Sequence, residues 1–255
     1  MLREWRQRRR MSQLELSSEA RISSRHLSFV ETGRSLPSRE MILHLAEWLN
    51  IPLRERNILL TAAGYAPMFA ARSLDDPALH SARKAVELIL KGHEPYPVIA
   101  IDRYWNLVAS NSVTTPFLAR IPPALLQPPI NVLRLSLHPE GMAPRIVNLA
   151  EWRGHLLERL RHQIEITADP LLVELMKELA AYPYPKQDAL MLNRDYGGIA
   201  VPLQLDTDHG LLSLLGTTTV FGTPVDITLA ELALETFFPA DAKTAEILRE
   251  LSPKS

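Results

Sequence analysis

The stretch from Met11 to Arg34, MSQLELSSEARISSRHLSFVETGR, constrains this chain more than any other. Ser12 followed by Glu15 has the spacing of a capping box, in which a hydroxyl and a carboxylate each satisfy a free backbone N–H at a helix start. Leu14 and Leu16 open the apolar side of that helix, and Arg21-Ile22 interrupts it. Ser23 is placed to cap a second helix with Leu27 and Val30 at i, i+3, and Gly33 stands where helices often stop. Two short helices joined by a turn of three or four residues make a helix-turn-helix, and the second is sized for a DNA major groove.

The flanking residues extend this to an all-α domain of five helices over residues 1–65. Leu2 and Trp5 take one side of a first helix, and Arg3, Arg6, Arg8, Arg9 and Arg10 take the other. Such an arginine run is ordinarily a solvated face; beside a helix-turn-helix it reads equally as phosphate contact, because each neutralised phosphate releases counterions. Pro37-Ser38 opens a helix with Met41, Ile42, Leu45, Ala46 and Leu49 at core spacing. Asn50-Ile51-Pro52 breaks it, and Leu53–Ala63 forms the fifth helix before Gly64. Charge divides accordingly. Through Ala66 there are 11 basic against 7 acidic residues, and beyond it 17 against 22, so a polyanion partner suits the first part only.

The Met11–Arg34 stretch resembles the helix-turn-helix of the Xre/Cro/phage-repressor family, through Ser12-Gln13, Leu16, Ala20, Ile22-Ser23, Leu27-Ser28, Val30-Glu31 and Gly33-Arg34. The resemblance implies operator binding as a homodimer, the half-site geometry usual for this motif. It implies that Arg6 pairs with Glu31 to brace the first helix against the recognition helix. It also implies a phosphate or edge contact for Gln13, and base-edge reading by Ser24, Arg25 and Ser28 beyond the cap at Ser23. Arg25 is the foremost reader, since arginine makes a bidentate contact to guanine. Phe29 either meets a thymine methyl or packs, and His26 either touches phosphate or has no role. Arg34 and Arg39 flank a loop that approaches the DNA backbone, and Arg9 is expected on phosphate.

Pro67, Asp75-Asp76 and Pro77 punctuate a connecting segment, 66–93, whose helix Leu79–Lys91 stops at Gly92 and could carry a dimer contact. The remainder, 94–255, reads as an α+β domain. Pro97–Asp102 and Trp105–Ala109 are strands around a tight turn, and Asn111 caps a helix to Leu118. Glu151–Ile166 is an amphipathic helix carrying Trp152, Leu156, Leu157, Leu160 and Ile164; Pro170–Ala181 is another, stopped by Pro183 and Pro185. Ile199–Leu205 and Leu211–Thr219 form a hairpin about Asp206–Gly210. Thr228–Phe238 ends the sheet or adds a strand, and Ala240–Leu251 closes the chain as a helix. Hydrophobic residues at 46% suffice for a core. With no apolar run of membrane length and no leader, a cytoplasmic protein with no membrane contact is expected.

Strand, tight turn, strand and asparagine-capped helix is how a PAS-like domain begins. HEPYPVIAIDRYWNLVASN, NVLRLSLHPEGMAPRIVNLAEW and TTTVFGTPVDITLAELALETFFPAD further resemble the ligand-binding domain of MmyB/MltR-type transcription regulators. That resemblance implies a bacterial one-component regulator, usually a repressor, with an Xre-type head and a PAS-like body around a buried fatty-acid-like ligand. Trp105, Phe117, Leu133, Leu137, Trp152, Leu156 and Phe221 are candidates to line the pocket, though for any one of them ordinary core is the commoner role. A ligand carboxylate would call for a charge-assisted partner, for which Arg134, Arg145 and Asn148 are candidates; they could instead hold an irregular loop together. The alternative is a body that only dimerises or binds another protein.

Other chemistries fit poorly. The chain has no cysteine, which excludes thiolate catalysis and cysteine-ligated metals. His155 and His162 are two helical turns apart, too far to chelate one ion with Glu158, so no metal is expected. His138, beside Pro139, suits a turn as well as a haem ligand, and no cofactor is expected. Asp206, Asp208 and His209 are turn residues, and Phe221–Pro224 is a turn and not a phosphate cradle. Nucleophile-elbow, phosphate-loop and dinucleotide motifs do not occur, so the chain is not expected to be an enzyme.

Overall fold

The computed structural model describes residues 1–184, 201–222 and 226–252, and the chain divides into two compact units. The first contains Met1–Ser73 with two later pieces, Glu165–Thr167 and 226–230. Its five helices are α1 (Leu2–Arg8), α2 (Gln13–Glu19), α3 (Ser24–Glu31), α4 (Arg39–Trp48) and α5 (Leu53–Ala62). Their starts are fixed by the serines. Ser12 Oγ accepts from Glu15 N at 3.1 Å while Glu15 Oε2 accepts from Ser12 N at 2.6 Å, a complete capping box. Ser23 caps α3 through His26 N, and Ser38 caps α4 through Met41 N. Gly33 and Gly64, at φ +73° and +83°, turn the chain just beyond α3 and α5 in a conformation that favours glycine. Trp5, Leu16, Leu27, Ile42, Leu45, Leu49 and Leu60 close the core between the helices.

The later piece belongs to this unit by specific bonds. Ile227 N donates to Ala70 O at 2.8 Å, Thr228 Oγ1 donates to Arg72 O, and Arg72 pairs with Asp226 at 3.0 Å. The helical turn Ile227–Ala230 packs against α5, with Ile227 fully buried.

The second unit begins with α6 (His80–Gly92), preceded by a 3-10 turn at Pro77–Leu79. Then follow β1 (Val98–Ile101), β2 (Leu107–Ser110), α7 (Thr115–Leu118), α8 (Val132–Leu137), α9 (Leu149–Thr167) and α10 (Pro170–Ala181). After these come β3 (Leu203–Thr207), β4 (Gly210–Val220), the turn already described as α11 (Ile227–Ala230), β5 (Ala233–Pro239) and α12 (Ala242–Leu251). The sheet runs β2-β1-β5-β4-β3, antiparallel throughout. Two hairpins, β1–β2 and β3–β4, thus lie on either side of β5.

Alternation along the strands gives the sheet two covered faces. Val98, Ala100 and Leu234 pack with Val86 and Leu90 of α6, whereas Ile101, Leu203, Leu205, Leu212 and Leu214 join Leu133, Trp152, Leu156 and Leu172 of the helical layer. This unit is an α+β body, and the first is a helical head.

Three expectations change. Thr228–Phe238 is not one run: it divides into α11 and β5, and β5 is the central strand of the sheet. Asn111 does not cap with its side chain; the amide ties Val98 N, Leu90 O and Tyr96 O together across β1 and the end of α6. The β3–β4 turn is tighter than Asp206–Gly210, because pairing continues to Thr207 and Gly210. Pro185, Ile199-Ala200 and Thr223-Pro224 lie outside the described residues.

Candidate functional site

In the head, α3 is held by a buried ion pair. Arg6 donates through Nε and Nη2 to the two carboxylate oxygens of Glu31 at 2.7 and 2.9 Å, and through Nη1 to Met11 O at 2.8 Å. Gln13 Nε2 adds a bond to Glu31 Oε2 at 2.7 Å. Burial alone would raise the Glu31 carboxyl, but the donors on Arg6 and Gln13 outweigh it and hold the group below the usual carboxylate range. The α3 surface is therefore presented at a fixed angle. Arg25 is exposed on it, its guanidinium carbon 5.4 Å from the Phe29 ring centre, with Ser28 and Phe29 half-buried alongside. Arg34 and Arg39 are exposed on the two sides of the loop to α4.

Other expected DNA contacts have partners inside the head. Arg9 Nε and Nη2 donate to the carbonyls of Leu49 and Asn50 at 2.8 and 3.0 Å, stapling α1 to the end of α4. Two of its five N–H donors are committed to protein carbonyls, which a run of arginines on one helix could not reveal. Ser24 Oγ lies 2.7 Å from Ser17 Oγ and holds α3 on α2. Ser23 is occupied as the cap, and Gln13 by Glu31.

In the body, a cavity of about 140 Å³ opens between the sheet and the helical layer. Ile99, Leu107, Leu203, Leu205, Leu214 and Phe237 supply the sheet side; Phe117, Leu133, Met142, Trp152 and Leu156 supply the other. Both tryptophans at its edge have committed N–H groups: Trp152 Nε1 to Ser136 Oγ at 3.0 Å and Trp105 Nε1 to Gln163 Oε1 at 2.7 Å. Among the described residues, the charged ones lining it are Arg159 of α9 and Glu235 of β5. They form a two-point pair at 3.0 and 2.7 Å, joined by Thr218, which accepts from Arg159 and donates to Glu235, each at 2.9 Å. The Arg159 guanidinium lies 4.8 Å from the Trp105 ring centre. An amphipathic helix carrying Trp152, Leu156 and Arg159 at i, i+4 and i+7 thus brings one charge to an apolar wall.

A family model described as MmyB-like transcription regulator ligand binding domain matches residues 82–251, two thirds of the chain. The chain belongs to the MmyB-like transcription regulators. A helix-turn-helix model matches residues 2–56, so this MmyB-like regulator is a DNA-binding protein with a ligand-binding body. A search of curated proteins found no match.

Among the residues expected to line a pocket in the MmyB-like body, Trp105, Phe117, Leu133, Trp152 and Leu156 meet at the cavity. Leu137 is buried in the surrounding core, and Phe221 packs with the cluster on the opposite face of the sheet. The expected polar partners are not at the cavity. Arg134 makes a two-point bond to Glu178 of α10, both distances 2.8 Å, and Tyr182 donates to the same carboxylate. Arg145 donates to Asp206 O and Phe117 O, and Asn148 joins α9 to β3 through Pro202 O and Gln204 N. Arg134 thus ties α8 to α10, while Arg145 and Asn148 secure the irregular segment before α9. Arg159 and Glu235 are not among the sequence candidates, although an arginine within an apolar stripe and a glutamate inside LALETFF are signals the sequence offers.

Among the described residues no three metal-ligating side chains cluster. His155 lies against Trp152, ring centres 5.5 Å apart; burial, and then Arg159, push its pKa below the ordinary histidine value. His138 lies edge-on to Tyr182 at 5.2 Å and accepts from Glu140 N. No helix among the described residues is long and apolar enough to cross a membrane.

Proposed function

We propose that this MmyB-like regulator is a repressor that binds its operator as a homodimer and responds to a small apolar ligand of the fatty-acid kind held in the body. The observation that carries the reading is the cavity itself: concave, walled by aliphatic and aromatic side chains, with a few polar groups among them, the usual constitution of a small-molecule site. On the DNA side, support comes from Arg25 standing exposed on a helix braced by Arg6 and Glu31. Arg25, Ser28 and Phe29 read base edges, while Arg34 and Arg39 meet phosphates. Regulation requires that the ligand bind the DNA-competent and DNA-incompetent conformations with different affinity, since equal binding shifts nothing.

The test is extraction of the purified protein under denaturing conditions, with mass spectrometry for bound small molecules. A stoichiometric aliphatic compound that also changes operator affinity when added back supports the reading. A protein that is empty and binds no aliphatic compound in titration leaves the body as a dimerisation or protein-interaction module.

A further inference from the structure

From the pairing of Arg159 with Glu235 we infer that the body selects an uncharged polar end on its ligand, so that an alcohol, an amide or the protonated form of a carboxylic acid binds and a carboxylate is rejected. This rests on the proposal that the cavity is the ligand site.

The charges lining the cavity cancel one another. Arg159 places two guanidinium nitrogens on Glu235, and Thr218 closes the third side of the arrangement. The Glu235 side chain is 6% exposed and that of Arg159 28%, so the carboxylate is the more deeply placed of the two. An incoming carboxylate has two ways to use Arg159. It can share the guanidinium, which brings two like charges together where little water screens them. Or it can displace Glu235, which leaves a buried carboxylate without its cation. Among the described residues, the other polar side chains lining the cavity are the hydroxyls of Ser110, Thr114 and Ser136. Thr114 donates to Asn111 O, and Ser136 accepts from Trp152, so neither supplies compensating positive charge.

A neutral end suffers neither penalty. A hydroxyl or amide can accept from Arg159 and donate to Glu235 or Ser110 without separating the pair. Octan-1-ol and octanoate are identical in chain and differ in the polar end, so their comparison isolates that end.

Trp105 and Trp152 line the cavity, so their fluorescence reports binding to the full-length protein. Titrations between pH 6 and 8 should give an octanol affinity that stays level. The same octanol series registers any titration of His155, which faces Arg159 and Glu235 from α9. Octanoate should bind more weakly, and its apparent affinity should fall about tenfold per pH unit, as the neutral fraction does. Glu235→Gln should free the guanidinium, raise octanoate affinity and abolish that slope. Octanoate binding as tightly as octanol, with no pH slope, would overturn the inference while leaving the cavity as the ligand site. Binding of neither probe, nor of shorter or longer homologues, would overturn the ligand reading and this inference together. If Glu235→Gln does not fold, the two slopes on the unaltered protein decide the matter.

Discussion

Arg9 and Arg25 are the same residue type in the same domain, and their surroundings give them different work. Arg25 is exposed on α3, so Arg25→Ala should weaken operator binding by about 1–3 kcal/mol and relax preference at one base pair. Arg34→Ala should weaken all sequences alike and lower the salt slope by about one, measurable by operator titrations at several salt concentrations. Arg9→Ala should do neither. It removes two bonds to helix-end carbonyls, so the loss, on the order of 1–3 kcal/mol, should appear in thermal unfolding of the head. DNA affinity of the fraction still folded should be unchanged. The exposed face of α3 was legible in the sequence, because caps and apolar spacing orient a helix. The fate of Arg9 was not, because its partners lie 40 and 41 residues away.

Elements were legible to the degree that their instructions are local. Ser12, Ser23, Ser38 and Asp241 each accept a backbone N–H at a helix start, and the helices begin there. β5 carries no such local signature. Glu235 and Thr236 are buried in it, each held by a partner on another element, Arg159 and Thr217, so a central strand reads as a mixed one. Cross-element ion pairs also set the response to acid. The Glu178 carboxyl is held below the usual carboxylate range chiefly by the hydrogen bond from Arg134, and Glu31 is likewise depressed. Depressed carboxyls contribute stability that is complete above their unfolded value, about 4.3, and is lost as pH falls through the lower folded values. Acid unfolding followed by circular dichroism should accordingly steepen below about pH 4. Glu178→Gln should flatten part of that fall without affecting stability at pH 7 as strongly as Glu31→Ala, which strands the buried Arg6 and should cost about 3 kcal/mol or more.

At the scale of the molecule, the chain carries a helix-turn-helix part and a ligand-binding part. Ligand binding should be visible here as mass action: an aliphatic compound at about 100 times its dissociation constant adds about 2.7 kcal/mol to the body, read as a rise in its melting temperature. What the linear order concealed is that the head is not one stretch of chain. Residues 226–230 lie in sequence between two strands of the body's sheet, yet they complete the first unit. Ile227→Asp should therefore accelerate amide hydrogen exchange in α5, more than 160 positions earlier in the sequence, and unchanged exchange there would count against that packing. The consequence reaches the gene. Recombination at a single junction after residue 73 would transfer a head lacking both of its later pieces, so a chimera with a foreign body must bring its own substitute for Asp226 and Ile227 or begin life with α5 uncovered.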